Sequence, residues 1–547
     1  MAFHQRRADS ETPLLIVGGR TTGLMLAIEL ARRAIPVRIV DKSPGIDPHS
    51  RATLLHVRSL ELLQGLGLAD SVWAAGQPDE GVRVYVDKVF LRRQDDPPVD
   101  SPFPTGVAFS QAKLEGLLEA YLADLGVRVE RSTQLLGLSQ DAGGLRATLG
   151  LSDGGEEIVD APWLIGCDGA HSQVRRSLDI PFTGDDSRYP YLLADVTVAE
   201  AEPESDAFYF LHPAGQLYFF LLDEGRRLIC ASLPEDHDTR GAPTLAQVQA
   251  LVGVRSQPQF RLADPRWLAY FRIRYRLAAS YRRGRAFLAG DAAHLNSLIG
   301  GQGMNTGIQD ACNLAWKLAL VERGIAGERL LDSYETERRP IAEEMIATTK
   351  AMTEPGERYP AMSPAGRRAL VADLFPPPDQ VPAFRRHFEE IDLDLGDSPL
   401  SRDEMGVAAM GAAATGPRAG LEARDATGLR VEGETRSLFG LLGDVRHCLL
   451  VFAGEDDRPE ATELAEATHR RFGDWIATYL VSREPQRLEG PTSIEDPGLA
   501  LTRRYEMTSG GLYLIRPDGY IAYRAARFDG LEAYLAGVYS NPATAGG

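Results

Sequence analysis

The residues with the clearest chemical potential lie near the middle of the chain. A short apolar run, Ala286 to Ala289, ends in Gly290 and Asp291 and leads through a glycine-rich turn into a long helical pattern. Gly301 and Gly303 carry no side chains where that helix begins, so its N–H groups and the positive end of its dipole stay accessible. An aspartate beside a bare helix start suits a ligand with a polyhydroxyl chain and a flat, electron-rich ring.

The helix itself has a packed face and a polar start. Its apolar residues repeat at the three- and four-residue spacing of a buried stripe: Ile308, Ala311, Cys312, Ala315 and Ala319. Met304 and Asn305 stand in the first turn, where the dipole stabilises negative charge on a bound ring. The strand–turn–helix order therefore predicts a cofactor-binding edge.

A second glycine-rich turn lies near the N-terminus. Leu14 to Val17 is typical of a buried parallel strand, and the turn from Gly18 to Gly23 follows it. The next strand, Val37 to Val40, ends in Asp41, about 20 positions on, where an acidic residue binds a ribose hydroxyl. Arg20 replaces the second glycine of the G-x-G-x-x-G pattern. Its side chain either displaces a pyrophosphate or pairs with it.

Three further positions follow in order along the chain. They are an arginine in SRATLLHVRSLELL, a glutamine that starts a helix and an aspartate after a strand: Arg51, Gln111 and Asp168. With the two glycine turns, this order resembles the single-component FAD-dependent aromatic hydroxylases. The similar types are phenol hydroxylase, 3-(3-hydroxyphenyl)propionate hydroxylase and the aromatic polyketide hydroxylases. The segment from Leu330 to Pro340 resembles the usual sequel to the second turn in that family.

The resemblance implies an α/β fold of three parts. They are a Rossmann-like FAD-binding domain similar to that of p-hydroxybenzoate hydroxylase, an inserted β-sheet substrate domain and a C-terminal thioredoxin-like domain. It also implies a set of cofactor contacts: Gly18, Arg20, Gly23, Asp41, Lys42, Arg51, Gln111, Asp168, Gly290, Asp291, Gly301, Gly303, Met304 and Asn305.

The same resemblance implies a reaction. FAD is the expected cofactor, NADPH or NADH the co-substrate and O2 the oxidant, with a flavin C4a-hydroperoxide delivering oxygen to an activated aromatic ring. His56 and Tyr218 are the catalytic candidates, and Tyr209, His212 and Tyr270 are further ones. Each also has an ordinary interpretation as a packed or exposed residue.

One departure from the family pattern bears on oxygen chemistry. Where the family commonly has proline after GDAAH, this chain has Ser297 and Leu298, which frees a backbone N–H and removes the rigidity of proline. A packing variant is the favoured interpretation. The alternative is altered oxygen chemistry with more release of peroxide.

Two alternatives to hydroxylation stay open. The same fold supports Baeyer–Villiger oxygenation or flavin oxidase or reductase chemistry. A flavin-containing binding or scaffold protein, with a C-terminal part that mediates assembly, is the other. NAD(P)H consumption with O2 uptake over a panel of phenols separates the hydroxylase from both.

Composition limits the partners. The net charge of −18 argues against nucleic acid and against an anionic membrane surface, and no apolar run is long enough to span a bilayer. The N-terminus lacks the apolar segment of a secretory signal. Four separated cysteines form no CxxC pair and no cluster with histidine: Cys167, Cys230, Cys312 and Cys448. We therefore expect a cytoplasmic protein without metal or disulfide. The resemblance implies a small aromatic molecule as the substrate, and a homodimer is the candidate assembly.

Pattern changes along the 547 residues predict the domain division. Residues 1–182 form the first part of the FAD-binding domain, 183–280 the substrate-binding β-sheet domain, 281–405 the second FAD-binding part with a helical linker, and 406–547 the thioredoxin-like domain. The last part lacks a redox CxxC, which favours a structural or oligomeric role.

Overall fold

A computed structural model describes residues 12–49, 52–141, 144–199, 206–222, 225–257, 259–372, 374, 376–377, 379–405, 416–454 and 459–539. Arg51, one of the expected cofactor contacts, lies outside these residues. Within the described ranges, no helix has both the length and the apolar character needed to cross a bilayer.

Strands and helices alternate through residues 12 to 180, as the sequence predicted. They are β1 (Leu14–Val17), α1 (Thr21–Arg32), β2 (Val37–Val40), β3 (Leu54–Leu55), α2 (Val57–Gln64), α3 (Ala69–Ala75), β4 (Gln77–Pro78), β5 (Gly81–Val86), β6 (Val89–Asp95), β7 (Val107–Ala108), α4 (Gln111–Asp124), β8 (Val129–Glu130), β9 (Gln134–Asp141), β10 (Gly144–Gly150), β11 (Glu156–Ala161), β12 (Leu164–Gly166) and α5 (Gln173–Ser177). Every residue of β1 is buried, which explains why an uninterrupted apolar run encodes it.

Long strands dominate the next hundred residues. They are β13 (Phe182–Ala199), β14 (Asp206–Leu211), β15 (Leu217–Leu221), β16 (Arg226–Ser232) and β17 (Arg261–Ala278), with α6 (Leu245–Arg255) between the last two. α6 begins with a capping box in which the Thr244 side chain and the Gln247 side chain satisfy each other's backbone N–H groups.

The chain then returns to strand–helix order before a run of helices. The elements are β18 (Arg282–Arg283), β19 (Ala286–Leu288), β20 (His294–Leu295), α7 (Gln302–Glu322), α8 (Asp332–Arg358), α9 (Pro364–Ala372) and α10 (Val381–Phe388). α7 is the predicted central helix, and its apolar stripe is buried in the main core.

The C-terminal part is a mixed α/β unit. Its elements are β21 (Arg402–Glu404), β22 (Leu429–Val431), β23 (Glu434–Arg436), α11 (Leu438–Leu442), β24 (His447–Phe452), α12 (Pro459–Phe472), β25 (Ile476–Ser482), β26 (Thr492–Glu495), α13 (Ala500–Arg504), β27 (Gly511–Ile515), β28 (Ile521–Ala525) and α14 (Leu531–Tyr539). Its eight-stranded sheet has the order β21-β28-β27-β24-β25-β26-β22-β23.

A six-stranded sheet carries three of the predicted cofactor turns. Its order is β18-β19-β12-β1-β2-β8, and β19, β12, β1, β2 and β8 run parallel. Val17, Gly166 and Leu288 are therefore neighbours at one edge. The turns that follow them, at Gly18, Asp168 and Gly290, emerge side by side at the carboxyl end of the sheet, where α/β folds bind ligands.

An eight-stranded sheet stands over that edge, in the order β20-β17-β13-β16-β15-β14-β5-β6. One face, which includes Phe208 and Phe219, packs against Val248 and Val252 of α6. The opposite face includes Tyr218. Residues 81–95 were expected in the first part of the FAD-binding domain. They form β5 and β6, and they join this sheet through the parallel pairing of β5 with β14.

Buried charges join the C-terminal unit to the rest of the chain. Arg516, at the end of β27, donates to both oxygens of Glu337 on α8, at 2.7 and 2.9 Å. Lys317 on α7 donates to the same carboxylate at 2.7 Å, and Asn313 donates to Asp518 at 3.0 Å. The helix that starts at the predicted cofactor edge therefore ends against the C-terminal unit.

Candidate active site

A cavity of about 1190 Å³ lies between the six-stranded sheet and the sheet above it. Its wall includes residues of the turns, such as Arg20, Gly169 and Asp291, with Tyr218 from the upper sheet and Phe384 from α10. Pockets for one small ligand have volumes of roughly 300–1,000 Å³. This cavity is large enough for a dinucleotide cofactor together with an aromatic ligand.

The first turn packs so tightly that it requires glycine. Gly18 has φ +112°, and a Cβ there would lie 2.2 Å from the Cys167 carbonyl oxygen. A Cβ on Gly23 would lie 1.9 Å from the Gly18 carbonyl oxygen. The two glycines bring β1, α1 and the end of β12 together at the cavity.

Asp41 is bonded to the backbone of the first turn. Its carboxylate accepts the Gly19 N–H at 2.6 Å and the Ser43 N–H at 2.7 Å, and the side chain is buried. Lys42 beside it is exposed. Neither residue is among those that line the cavity. The predicted contact of Asp41 with a ribose therefore stays a prediction.

Arg20 lines the cavity, and its side chain pairs with Asp47, a residue outside the first turn. Its Nη2 donates to Asp47 at 2.7 Å, with the Arg20 side chain about one-third exposed at 35%. Burial raises the pKa of Asp47, but hydrogen bonds from His49 and Arg20 outweigh it and bring that pKa to about 2. The guanidinium therefore has a charged partner within the chain.

Gln111 lines the cavity and is hydrogen-bonded to Glu115, which was not among the predicted site residues. Its Nε2 donates to Glu115 at 2.8 Å, and the same carboxylate oxygen accepts the N–H and hydroxyl of Thr21, at 3.2 and 3.1 Å. Glu115 is buried and links α4 to the start of α1. The sequence held one signal for Glu115: it lies four residues after Gln111 and therefore on the same face of α4.

Asp168 presents an oxygen without a partner. Its Oδ2 accepts the N–H groups of Gln173 and Val174, at 2.6 and 3.1 Å, and so caps α5. Its Oδ1 is buried and has no hydrogen-bond partner among the described residues. Burial raises the pKa of Asp168. Although buried acceptors are almost always bonded, Oδ1 is free to accept a further hydrogen bond. Asp168 is not among the residues that line the cavity, so its contact with the cofactor stays a prediction.

The two aspartate turns are tied together by Arg175. Its Nη1 donates to the Ala292 carbonyl at 2.7 Å, and its Nη2 to the Ala170 carbonyl at 3.0 Å. Asp291 is exposed and lines the cavity. The Gly290 N–H donates to the buried Asp310 at 3.1 Å, so a second carboxylate positions this turn and leaves Asp291 at the surface of the cavity.

The start of α7 is a sharp, side-chain-free bend. Gly300 and Gly301 have φ +100° and +67°, and both line the cavity with Gly303 and Met304. The Asn305 amide donates to the Gly301 carbonyl at 2.7 Å, so its side chain holds the bend. The first N–H groups of a helix have no intrahelical partners, so this terminus favours an electron-rich group.

His56 needs a correction, because it does not line the cavity. It is fully buried, with Nε2 2.9 Å from the Gly300 carbonyl oxygen and Nδ1 3.3 Å from Glu389. Its ring has no open path to a substrate and stands one residue behind the cavity wall. The proximity to the active site was predicted, but direct contact with a reacting group is not supported.

Tyr218 does line the cavity and belongs to a polar chain. Its hydroxyl donates to Gln216 Oε1 at 3.2 Å, Gln216 donates to the Tyr191 hydroxyl at 2.8 Å, and Tyr191 donates to Glu357 at 2.7 Å. Burial raises the pKa of Tyr218 well above its ordinary value, so it is a neutral phenol at physiological pH. Of the further candidates, Tyr209 and Tyr270 line the cavity and His212 does not.

A charged group that the sequence analysis also missed lies on another part of the wall. Asp79, Asp96 and Arg385 line the cavity, and Arg385 pairs with Asp96 at 3.2 Å. Burial and the charge of Asp96 raise the pKa of Asp79 to about 7, while burial raises the pKa of Asp96 to about 6. Asp79 and Asp96 directly follow β4 and β6, and Arg385 lies within α10. No local motif marks these residues.

The residues on the cavity wall fit FAD. Glycine turns bare the backbone at the carboxyl edge of the parallel sheet, and Asp291 lines the cavity beside the N-terminus of α7. Asp168 is not on the wall itself, but its neighbours Cys167 and Gly169 are. Bound FAD supplies electron transfer and oxygen activation, while the chain supplies orientation and shielding.

Comparisons with known proteins agree with this geometry. The FAD binding domain family matches residues 11–349. The chain is 33% identical to 6-methylpretetramide 4-monooxygenase of Streptomyces rimosus, over 94% of this chain and 91% of that one. It is 31% identical to pentachlorophenol 4-monooxygenase of Sphingobium chlorophenolicum, over 94% of each.

A solved structure is similar over the whole length. The ternary complex of aklavinone-11 hydroxylase with FAD and aklavinone matches with a TM-score of 0.77 and 27% identity, over 98% of this chain and 100% of that one. The expected α/β fold, with an FAD-binding domain and a substrate-binding sheet, is thereby confirmed. The chain belongs to the family of FAD-dependent monooxygenases that carry this FAD binding domain.

Proposed function

We propose that this enzyme uses FAD and NADPH or NADH to hydroxylate a phenolic or polycyclic aromatic substrate of the polyketide type. One observation carries the proposal: stacked aromatic rings stand in the same cavity as the cofactor turns. Tyr218 stacks on Tyr209 at 4.3 Å and on Phe220 at 5.3 Å, with near-parallel planes. Such a flat wall suits a planar ring system. The substrates in the relatives' names, pentachlorophenol and 6-methylpretetramide, support this class.

The proposed cofactor contacts remain those that the sequence predicted. Six of them line the cavity: Arg20, Gln111, Asp291, Gly301, Gly303 and Met304. The proposed set is Gly18, Arg20, Gly23, Asp41, Lys42, Arg51, Gln111, Asp168, Gly290, Asp291, Gly301, Gly303, Met304 and Asn305. Glu115 is proposed as a supporting residue and not as a cofactor contact, because its bond to the Thr21 N–H orders the start of α1. Arg51 rests on the resemblance alone.

For Tyr218 we propose an orienting contact with the substrate. Tyr218 lines the cavity, and its hydroxyl donates to Gln216 Oε1, which leaves lone pairs on the oxygen for a donor group of the substrate. A substrate hydroxyl donating to that oxygen would be fixed in the plane of the aromatic wall. The neutral state of Tyr218 argues against its use as a general base.

Apolar residues on the other side of the cavity shield the reaction from water. Leu298 and Ile299 precede the α7 bend, and Phe384 and Phe388 of α10 complete that wall. Exclusion of water protects a reactive oxygen species and strengthens polar contacts within the site.

The test is a labelled-oxygen assay with the purified holoenzyme. NAD(P)H oxidation and O2 uptake are followed over a panel of simple phenols and polycyclic phenols, with ¹⁸O2 as the gas. We expect acceleration by at least one phenol and one labelled oxygen atom in the product. Peroxide as the sole oxygen product throughout the panel would favour the oxidase alternative, and an inserted ring oxygen next to a ketone would favour Baeyer–Villiger chemistry.

For the C-terminal unit we propose a thioredoxin-like fold without redox activity. The adjacent strands β28-β27-β24-β25, with α12 connecting β24 and β25, support the fold. Cys448 is buried in β24, and burial raises its pKa. Because a single buried thiol cannot cycle as a dithiol, we expect no insulin reduction and near-normal FAD content in Cys448→Ser.

We also propose a cytoplasmic homodimer. β6 ends its sheet and has no second neighbour among the described strands, and it exposes Val89, Phe90 and Leu91 at 67, 49 and 43%. An apolar sheet edge of this kind favours pairing with another copy. Light scattering on wild type and Phe90→Lys tests the dimer, and a monomeric wild type would refute it. Cell fractionation tests the location.

The domain division predicted from the sequence is retained as a proposal with one addition. Residues 81–95 are grouped with 183–280, since β5 and β6 extend the same sheet. Limited proteolysis that releases fragments with ends near residues 182, 280 and 405 would support the division.

A further inference from the structure

His56 is a buried titratable group that contacts the bend at the start of α7. It precedes α2, and its backbone N–H donates to Asn305 Oδ1 at 2.9 Å. The ring lies edge-on to Phe388 at 4.9 Å and has no exposed surface. The side chain is therefore fixed by α7 on one side and α10 on the other.

Both ring nitrogens face groups that only accept hydrogen bonds. Nε2 lies 2.9 Å from the Gly300 carbonyl oxygen, and Nδ1 lies 3.3 Å from Glu389 Oε2. A neutral imidazole has one N–H, which would leave the other nitrogen lone pair against an oxygen lone pair. The contacts are satisfied together only when both nitrogens carry a proton.

Glu389 is held as a carboxylate, so it does not supply that missing proton. It accepts the Val57 N–H at 2.9 Å and the Gly106 N–H at 3.1 Å, and it pairs with Arg385. Although burial opposes ionisation, these donors and His56 lower the pKa of Glu389 to about 2. Burial also opposes the charge on His56, but Glu389 outweighs it and the pKa of His56 is raised.

The ion pair has a direction relative to the cavity. The protonated Nε2 points at the Gly300 carbonyl, and a Cβ on Gly301 would lie 3.7 Å from that nitrogen. Gly300 and Gly301 line the cavity, whereas Glu389 lies behind the ring and is balanced by Arg385. The positive end of the pair therefore faces the same wall as the positive end of the α7 dipole.

We propose that His56 is a permanent imidazolium that holds the Gly300–Gly301 bend and places a buried positive charge behind the cofactor wall. Two-electron reduction by NAD(P)H brings one proton with the two electrons and releases NAD(P)+, so the cofactor gains one negative charge. A buried charge that is poorly screened by solvent stabilises that reduced state more than the oxidised one. His56 is thus a positioning residue that raises the reduction potential.

The first experiment measures protonation in the wild-type holoenzyme. The protein is labelled with ¹⁵N-histidine, and the ring nitrogen signals of His56 are those that disappear in His56→Gln. Their chemical shifts report whether each nitrogen carries a proton. We expect both His56 nitrogens to be protonated at pH 7.5. The measurement uses the full chain, so the charged groups around the ring are present: Glu389, Glu390 and Arg385. A neutral His56 at that pH would overturn the proposal.

The second experiment separates charge from packing through the midpoint potential of bound FAD. Gln at position 56 keeps an amide donor for Gly300 but carries no charge, whereas Ala removes both. We expect both variants to show a roughly tenfold lower preference for reduced over oxidised cofactor, which is a potential about 30 mV more negative for two electrons.

The matched control is His447→Gln. His447 is equally buried but lies in the C-terminal unit, with Nε2 3.1 Å from the Tyr539 hydroxyl. We expect its potential to equal that of wild type. If His56→Gln has the same potential as the control and only His56→Ala is shifted, His56 acts through packing alone. That result would refute the proposed effect of its charge. Neither readout depends on a substrate, so failure of the proposed hydroxylation would not affect it.

Discussion

The side-chain oxygens of Ser297 and Thr353 lie 2.8 Å apart and join the loop before α7 to α8. Ser297 is buried, and its Oγ also accepts the Ile299 N–H at 3.2 Å. Ser297 stands where the family commonly has proline. The absence of proline predicted a softer loop with a free backbone N–H. In the structure these hydrogen bonds replace the covalent constraint of proline, which favours the interpretation as a packing variant.

Ser297→Ala should therefore increase uncoupling. It removes two buried hydrogen bonds of about 0.5–1.5 kcal/mol each, which loosens the loop beside the cofactor wall. We expect at least a twofold rise in peroxide formed per NAD(P)H oxidised, with FAD retained. Ser256→Ala is the control, since Ser256 is a buried serine that donates to Val252 of α6 at 2.8 Å. Equal peroxide yields in both variants would show that Ser297 has no part in retaining the oxygen species.

Asp291 and Arg20 should differ in their effect on FAD. Asp291→Ala removes a charged acceptor on the cavity wall, a loss of about 1.5–3 kcal/mol, or roughly a tenfold to hundredfold weaker binding. Arg20→Gly restores the glycine pattern and should bind FAD as well as wild type or more tightly. Flavin fluorescence titration of each apoprotein measures both. If Arg20→Gly loses FAD, the guanidinium is a phosphate ligand despite its bond to Asp47.

Tyr218→Phe should impair substrate orientation without loss of cofactor. The change keeps the aromatic stack on Tyr209 but removes the hydroxyl oxygen that faces the substrate. We expect kcat/KM for a phenolic substrate to fall roughly tenfold, since one hydrogen bond in a dry site contributes about 1.5 kcal/mol. Tyr85→Phe is matched, because Tyr85 packs on the opposite face of the same sheet. An equal loss in both variants would contradict a specific role for Tyr218.

Asp79 should make stability depend on pH. Because burial and Asp96 raise its pKa to about 7, the carboxyl stabilises the fold while protonated, and this contribution is lost as the pH rises from about 4 through 7. Asp79→Asn removes that loss. We expect its Tm relative to wild type to be higher at pH 8 than at pH 5. Asp185→Asn, an exposed control, should give the same difference at both pH values.

The Arg516–Glu337 pair should dominate attachment of the C-terminal unit. Both side chains are buried, so Arg516→Ala leaves Glu337 without its main partner, at a cost of about 3–5 kcal/mol. Chemical denaturation should show the loss, or an early transition of the C-terminal unit. Arg527→Ala breaks the exposed pair with Asp529 and should leave the free energy of unfolding nearly unchanged, because solvent screens that pair. Similar midpoints for the two variants would contradict this role of the buried pair.

The sequence by itself determined the elements and turns that local chemistry encodes. β1 and β2 follow from apolar runs, and the cofactor turns follow from glycine and aspartate after strands. These signals are local, because a strand end, a glycine turn and a helix start lie within about ten residues of one another. The family and its cofactor could be predicted from their order.

Only the tertiary structure decided which side chains share the cavity. β5 and β6 join a sheet whose other strands lie a hundred residues away, and Asp79, Asp96 and Arg385 meet from two loops and a helix. His56 and Tyr218 were both catalytic candidates, yet His56 lies behind Gly300 and Tyr218 lines the cavity. Long-range packing sets the direction in which a side chain points, and neither spacing nor residue type encodes that direction.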